Sequence, residues 1–443
     1  MKIYSREEVL KHNKTGDCWV IINNEVYDVS EFIKRHPGGS DIIESRAGED
    51  ATSFFTAKHR NNKQVHERLS ALKVGEIIES ERVLANDFSE DFLTELIDRC
   101  YKEKLYRAPV WHRNIYFLTR AVNIIVFFAC SLAALYAPIH WSAAIVLVMI
   151  QAVIGTSLFG LLAHEATHRN FPRNGFMKRL LTISWPIFWP FIIKNPLRYE
   201  HNSHHIKIGD PECDYEVAGF ALFIRYSGRV KHTFLHNYQH KLAAVLYLFY
   251  ANIITTIGGF HSGFWSKHNR PINSEQALSL TTTFLYFIII PAIIHSSALW
   301  YVLLYLVYQC TLYFGIYVGA AINHFVPSVT KKIPAEHENK FGYYACHNTT
   351  NFCSSSPFWI WYTGGFNIQI EHHLIPFIPV ENLTKMISIV KELCEKYGYP
   401  YHDYPTIREL WNDHYAYLQM MSESSQSESV LTEIMNKKAY QAR

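Results

Sequence analysis

Gln369-Ile370-Glu371-His372-His373 is the stretch on which the reading of this chain turns. Two adjacent histidines are a weak signal alone, but two more clusters lie upstream: His164-Glu165-Ala166-Thr167-His168 and His201-Asn202-Ser203-His204-His205. On a helix, positions i, i+3 and i+4 share one face. Each cluster can therefore aim two or three imidazoles at a single point. Histidine is the commonest metal ligand, and neutral imidazole suits iron, zinc and copper. Seven histidines converging without cysteine point to more than one metal ion. Scattered surface or core histidines explain one such cluster readily and three patterned ones poorly.

Outward from these clusters the chain is apolar and aromatic. Hydrophobic residues make up 49% of the 443 residues and aromatics 15%, with a formal net charge of only +3. The basic residues form no patch interleaved with exposed aromatics, so nucleic acid is not expected as a partner. The eight cysteines show no CxxC pair and no framework spacing, which fits a reducing compartment. The N-terminus has no apolar core of a signal peptide and is expected to face the cytosol.

The apolar residues are bunched. Ile115 to Ala137 and Trp141 to Ala163 are each long enough for the roughly 20 residues that cross a bilayer, joined by Pro138-Ile139-His140. Arg120, near the start of the first, is expected to snorkel to the interface. Ala277 to Ile294 and Leu299 to Ile322 form a second hairpin through His295-Ser296-Ser297. Leu180 to Ile193, broken by Pro186 and Pro190, reads as interfacial or re-entrant. Leu242 to Phe264 is ambiguous, and parity decides it: all three clusters must lie on one side of the membrane to share a metal site. That gives four spans. Lys and Arg crowd the stretch from Arg169 to Arg270 and are absent from both hairpin links, which places that stretch in the cytosol.

Residues 1–78 read as a small soluble domain. Val20-Ile21-Ile22, Asn23-Asn24 and Val26-Tyr27-Asp28-Val29 make a strand, turn, strand pattern, and Ser30 is placed to cap a short helix reaching Arg35. His36-Pro37-Gly38-Gly39 then forces a tight turn beside a histidine. His59 closes the segment after Ala51-Thr52-Ser53-Phe54-Phe55. Residues 79–110 are charged and mixed and read as a linker to the membrane surface, with Phe92 to Ile97 an amphipathic helix candidate. A membrane domain over 111–412 and a polar tail over 413–443, mobile from Ser422 to Val430, complete the expected organisation.

HxxxH, HxxHH and QxxHH, in that order between apolar spans, resemble the three histidine boxes of membrane fatty acid desaturases. Gln369 at the head of the third box and the cytochrome b5-like N-terminus resemble the front-end members of that family, from about Tyr4 to about Tyr401. The resemblance implies a small α+β haem domain fused to an all-α polytopic membrane domain with four transmembrane helices and cytosolic histidine boxes. It implies haem b held axially by His36 and His59, with Phe54 and Phe55 walling its pocket. Bis-histidine ligation leaves no open site, so such a haem transfers electrons. It also implies two irons held by His164 and His168; His201, His204 and His205; and His372 and His373, with His324 after the last span as an eighth ligand. O2 is then the co-substrate, an NADH-cytochrome b5 reductase the electron donor and the endoplasmic reticulum membrane the location. The substrate is an already unsaturated fatty acyl chain on CoA or phospholipid, desaturated at a Δ5 or Δ6 type position.

Removing hydrogen from an unactivated methylene needs an oxygen-activating metal centre and outside electrons, and the sequence offers parts for both. Gln369 replaces a histidine found in many related desaturases; its amide oxygen is open to weak ligation, to action through a water, or to substrate contact. Glu165, Glu371, Asp210 and Asp214 are candidates to orient imidazole N–H groups. His232, His236 and His240, spaced by four among Lys231, Arg229 and Lys241, read as a basic interfacial face, and a phosphate-bearing headgroup would suit the same charges. His337 and His347 receive no role. Rival readings are a sphingolipid long-chain-base desaturase, a lipid hydroxylase, and a membrane haem protein that only relays electrons.

Overall fold

The computed structural model describes residues 2–14, 16–36, 43–44, 46–59, 63–82, 90–107, 110–168, 187–189, 201–202, 204–206, 208–209, 214, 217, 223–248, 277, 281–295, 297–330, 333–337 and 340–423. Pro37-Gly38-Gly39, Asp210, nearly all of Leu180–Ile193, the part of Leu242–Phe264 beyond Leu248 and the tail beyond Glu423 lie outside them.

The N-terminal domain is built on a five-stranded sheet, in the order β1 (Lys2–Tyr4), β5 (Lys73–Ile77), β4 (Glu25–Asp28), β3 (Asp17–Ile22), β2 (Asn13–Lys14). The expected hairpin is β3–β4, paired Trp19 to Asp28 and Ile22 to Glu25. Asn23 and Asn24 turn it with φ of 53° and 62°, the left-handed conformation that tight hairpin turns demand and asparagine tolerates. Cys18, Val20, Ile22 and Tyr27 pack with Val29 and Ile33 in one apolar cluster. Short helices α1 (Arg6–Leu10), α2 (Thr52–His59) and α3 (Lys63–Ser70) complete the domain. Ser30 does not cap a helix. Its hydroxyl accepts from the Cys18 N–H at 2.9 Å and donates to Asp28 at 2.6 Å, so it ties the hairpin together, and only a 3-10 turn over Ile33–Arg35 comes after it.

Three described helices are long and apolar enough to cross a membrane: Asn114–Tyr136, Trp141–His164 and Ala298–His324. They coincide with three of the four expected spans. Helix α7 (Thr281–His295), in place of the remaining one, is apolar but shorter. The first span lies within α5 (Val110–Tyr136), which exposes Phe117, Leu118 and Ile125. Such a row of exposed large apolar side chains suits lipid rather than water. Arg120 does not snorkel. Its guanidinium donates to Glu165 at 3.0 Å, Glu381 at 3.1 Å and the Leu161 carbonyl at 3.2 Å. Two carboxylates within reach of one cation outcompete water, and the contact binds the first span to the first box and to the helix that begins at Val380.

A helical layer at one end of the apolar helices is made of α4 (Asp91–Lys102), α9 (Phe341–His347), α11 (Gln369–Leu374) and α12 (Val380–Tyr397). Phe92, Leu93, Leu96, Ile97 and Cys100 of α4 share one buried core with Phe341, Ile370 and Val390. The stretch read as a linker therefore contains a helix folded into the layer, because its apolar residues recur at helical spacing. The last helix, α13 (Ile407–Glu423), buries Leu410, Tyr417, Leu418 and Met421, and even Ser422 is enclosed. Residues 413–423 thus belong to the folded body, where the composition suggests a polar tail.

Just before the first box the helix α6 (Trp141–Leu158) widens into a π-turn over Phe159–His164. The extra residue of such a turn re-aims the side chains beyond it. Gly160 in this turn meets Gly364, which ends α10 (Pro357–Thr363) with φ of 64°. A Cβ on Gly364 would lie 2.5 Å from the Gly160 Cα and 2.6 Å from the Leu161 nitrogen, so only glycine permits this backbone crossing. The crossing brings the first box within reach of the third. Gly160→Ala should destabilise the protein by about 1–3 kcal/mol, the cost of forcing extra atoms into a packed contact. A lowered midpoint in thermal unfolding of the detergent-solubilised protein is the expected result, and an unchanged midpoint would mean the two backbones are not in contact.

Candidate metal centre

The histidines of all three boxes come together, with His324, in two groups. His164, His168, His201, His205 and His372 form one, and His204, His324 and His373 the other; within each, the candidate ligand atoms lie within 4.8 Å of one another. All lie at the end of the apolar helices that meets the layer of α4, α9, α11 and α12. The first box leaves the end of the α6 span, His324 ends the Ala298–His324 span, and the third box rides on α11. The adjacent doublets His204-His205 and His372-His373 each give one ring to either group. Side chains of consecutive helical residues diverge by about 100°, which sets the two groups side by side. The His205 and His373 rings, one from each group, are 4.1 Å apart.

The nitrogen contacts show what the groups are suited to hold. His201 Nε2 lies 2.8 Å from His164 Nε2, 2.8 Å from His168 Nε2 and 3.0 Å from His205 Nε2, and His205 Nε2 lies 3.0 Å from His372 Nε2. A neutral imidazole carries one proton, so one Nε2 cannot satisfy three such neighbours as hydrogen bonds. Two nitrogens each about 2.1 Å from one ion and at right angles to each other sit about 3 Å apart. The spacing fits a coordination sphere. Burial presses the same way: it holds His201, His205 and His373 well below the usual imidazole range, with neighbouring imidazoles adding to the effect, so the rings stay neutral and keep their lone pairs.

The second group is polarised from behind. Asp214, fully buried, sits 2.9 Å from His204 Nδ1 and also accepts the Gly209 N–H at 2.8 Å. A carboxylate accepts only, so Nδ1 carries the proton and Nε2 is left as the donor atom for a metal. His324 Nδ1 donates to the Asn348 carbonyl at 3.1 Å, while its buried Nε2 and both nitrogens of His373 have no hydrogen-bond partner among the described residues. Orphaned buried nitrogens converging on one point are what a bound cation would satisfy.

Of the other acids, Glu371 does not reach an imidazole in any described contact. It accepts from Asn351 at 2.7 Å and Tyr401 at 2.8 Å, and burial pushes its carboxyl up to about 7. Glu165 pairs with Arg120. Gln369 lies one turn ahead of His372 and His373 on α11, buried, its Oε1 without a partner among the described residues. Asn351 is not legible as a site residue in the sequence: a single asparagine in a polar loop carries no spacing. It fixes α11 twice, through Glu371 and by accepting the Ile370 N–H at 2.9 Å.

His232, His236 and His240 do not share one helix face, because a 3-10 turn over Phe234–Tyr238 interrupts their spacing. His236 accepts from the Thr233 N–H, while His232 meets the carbonyl and His240 the hydroxyl of Ser422. His232 and His240 thus tie this segment to α13. His337 stacks on Tyr343 at 4.1 Å.

In the N-terminal domain the rings of His36 and His59 are 6.2 Å apart. Two imidazoles on opposite sides of one iron, each nitrogen about 2.0–2.1 Å from it, place their ring centres about 6.3 Å apart. Phe55 stacks on His59 at 4.8 Å, as expected for a pocket wall. Phe54 does not join the wall and packs instead on Phe341 and Tyr344 of α9.

Comparison with known proteins identifies both parts of the chain by family. Residues 139–405 match the family described as fatty acid desaturase, and residues 5–78 match the cytochrome b5-like heme/steroid binding domain. The chain is similar to acyl-lipid (8-3)-desaturase B of Dictyostelium discoideum, 25% identical over 95% of this chain and 94% of that protein. It is 24% identical to the probable Delta(5) fatty acid desaturase C of the same organism, over 95% of each chain. It is also 28% identical to Delta(8)-fatty-acid desaturase 2 of Arabidopsis thaliana, over 89% of this chain and 88% of that one.

The polarised second group makes a separable prediction. Asp214→Asn should weaken metal binding at the His204, His324 and His373 group by about 10–100-fold, the usual effect of removing a carboxylate behind a metal-binding histidine. Metal analysis after mild chelation should then give about half the wild-type content per chain. Full retention of metal in Asp214→Asn and in His324→Ala would remove that group from the centre.

Proposed function

Because the chain belongs to the fatty acid desaturase family and carries a cytochrome b5-like domain, we propose that it is a front-end fatty acyl desaturase, an oxidoreductase that inserts a cis double bond on the carboxyl side of an existing one, of Δ5 or Δ6 type. The observation that carries the reading is the pair of adjacent imidazole groups at one end of the apolar helices, on the same polypeptide as a bis-histidine haem site. A chain that only relayed electrons would need the second of these and not the first. Names of similar proteins, which include Delta(5) and Delta(8) desaturases, support the class of reaction.

In this reading His164, His168, His201, His205 and His372 hold one iron, and His204, His324 and His373 the other, while His36 and His59 hold haem b. When bound, the irons supply O2 activation and the haem supplies electrons. The protein's share is positioning. Asp214 keeps the proton of His204 on Nδ1, and Asn351 with Tyr401 holds Glu371 and so the pitch of α11. A group of five imidazoles nearly completes a coordination sphere, whereas a group of three leaves room for ligands from outside the protein, as catalytic sites do. Gln369, a turn ahead of His372 and His373 with its amide oxygen unpartnered among the described residues, would touch substrate or a ligand of a bound iron.

Four spans, with α7 as the third, keep every box on the cytosolic side together with the haem domain, in the endoplasmic reticulum membrane. The domain limits then run from the haem domain at 1–78 through 79–110 to the membrane domain at 111–412 and the remainder. An acyl chain on CoA or phospholipid is the substrate, and an NADH-cytochrome b5 reductase the electron donor.

Two measurements test this. Cells expressing the protein and fed a di- or tri-unsaturated fatty acid should accumulate product with one more double bond on its carboxyl side, and His168→Ala or His373→Ala should abolish it, since a ligand set acts as a unit. Hydroxylated lipid, or changes confined to sphingoid bases, would refute the fatty acyl reading. Separately, purified protein should show a low-spin b-type spectrum that His36→Ala and His59→Ala both eliminate, with the iron of the membrane domain retained.

A further inference from the structure

The haem-binding domain sits on the metal-centre domain through two side chains that serve neither haem ligation nor the metal groups. Phe54, on α2, packs edge-on against Phe341 at 5.3 Å and Tyr344 at 6.3 Å, both on α9. The Arg46 guanidinium lies 3.8 Å above the Phe54 ring. It also donates to Glu49 at 3.2 Å within its own domain and to the Ile206 carbonyl at 3.1 Å across the interface. Ile206 directly follows His205, a member of the five-imidazole group. Tyr344 completes the patch from the other side, its hydroxyl donating to the Ile208 carbonyl at 3.3 Å. The receiving helix is itself anchored: the buried Glu90 carboxylate accepts the Gly342 and Tyr343 N–H groups at 2.9 and 3.1 Å and the Tyr399 hydroxyl at 3.1 Å.

We propose that Arg46 and Phe54 are a docking contact that holds the chain's own haem domain against the backbone of the second histidine box. The inference rests on the reading of His36 and His59 as haem ligands and of the boxes as metal ligands. Its physical content is separate. A planar guanidinium can stack on an aromatic ring and still send N–H groups sideways to a carbonyl and a carboxylate; an ammonium cannot do all three. Because α2 carries both His59 and Phe54, any shift of the dock moves an axial ligand with it. Arg46 and Phe54 are positioning residues, and their effect is to fix the separation between the two sites, which catalysis by approach and orientation depends on.

The test uses full-length, haem-loaded protein in lipid nanodiscs and compares wild type with Arg46→Glu, Arg46→Lys, Phe54→Ala and, as a control, Lys63→Ala, whose side chain is 90% exposed. Amide exchange over residues 341–347 and 201–206 should rise about five-fold or more in the three dock variants and stay at the wild-type level in the control. Haem absorbance should be unchanged in all of them, and reduction of the haem by NADH and reductase should be undisturbed. Product formation should fall about ten-fold or more in Arg46→Glu. Wild-type exchange in Arg46→Glu with intact haem absorbance would overturn the dock, and raised exchange with undiminished product formation would overturn its positioning role. Should Phe54→Ala lose haem, Arg46→Glu and Arg46→Lys decide alone. Absence of haem from wild-type protein would refute the haem reading and not the contact.

Discussion

Lone pairs of neutral imidazoles repel, and this chain gathers eight such rings, six of them buried and His164 and His168 partly so, in two adjoining groups, the larger with contacts of 2.8 to 3.0 Å between nitrogens. Such a cluster is tolerable only when something positive sits among the nitrogens. Burial and the neighbouring imidazoles disfavour protonation of His201, His205 and His373. Metal ions can supply the positive charge, and the doublets His204-His205 and His372-His373 split the rings into two sets by the geometry of the helix alone. Everything around the groups has the task of delivering these rings to one place at the membrane edge.

The delivery uses contacts with little freedom. The first and third boxes approach through Gly160 and Gly364, where no side chain fits. The first span, the first box and α12 are joined by Arg120, Glu165 and Glu381. Removing one member of such a partly buried triad leaves an uncompensated charge, which costs more than the pairing itself contributes. Glu371 is the counterexample, a carboxyl beside the ligands that is held by Asn351 and Tyr401 and whose burial raises its affinity for a proton. A second full negative charge near the rings is thereby lessened, while Asp214 serves the second group directly.

How much of this is readable from sequence depends on the range of the interactions. The boxes are legible because i, i+3 and i+4 spacing is local, and so are the β3–β4 hairpin and three of the apolar spans. Arg120 misleads because snorkelling is a property of one side chain in lipid, whereas its carboxylate partners lie 45 and 261 residues away. Ser30 misleads because its hydroxyl serves a strand 12 residues earlier rather than the helix after it. The His232, His236 and His240 spacing mimics a helix face that a 3-10 turn breaks. Ser422, the partner of His232 and His240, lies in a stretch whose polar composition hides the apolar period of α13.

Phe54 and Phe55 show the same limit within two residues. An aromatic pair beside a histidine invites placing both rings in the haem pocket. On a helix each residue turns by about 100°, so residues i and i+4 share a face while i and i+5 are roughly 140° apart. Phe55 is four residues before His59 and stacks on it; Phe54 is five before and cannot. Its ring must leave the pocket, and a large apolar side chain leaving a small domain needs another surface to cover it. Phe341 and Tyr344 are that surface, with Arg46 closing over the exposed ring face. The helical period of α2 thus turns Phe55 toward His59 and Phe54 away from it, to Phe341 and Tyr344.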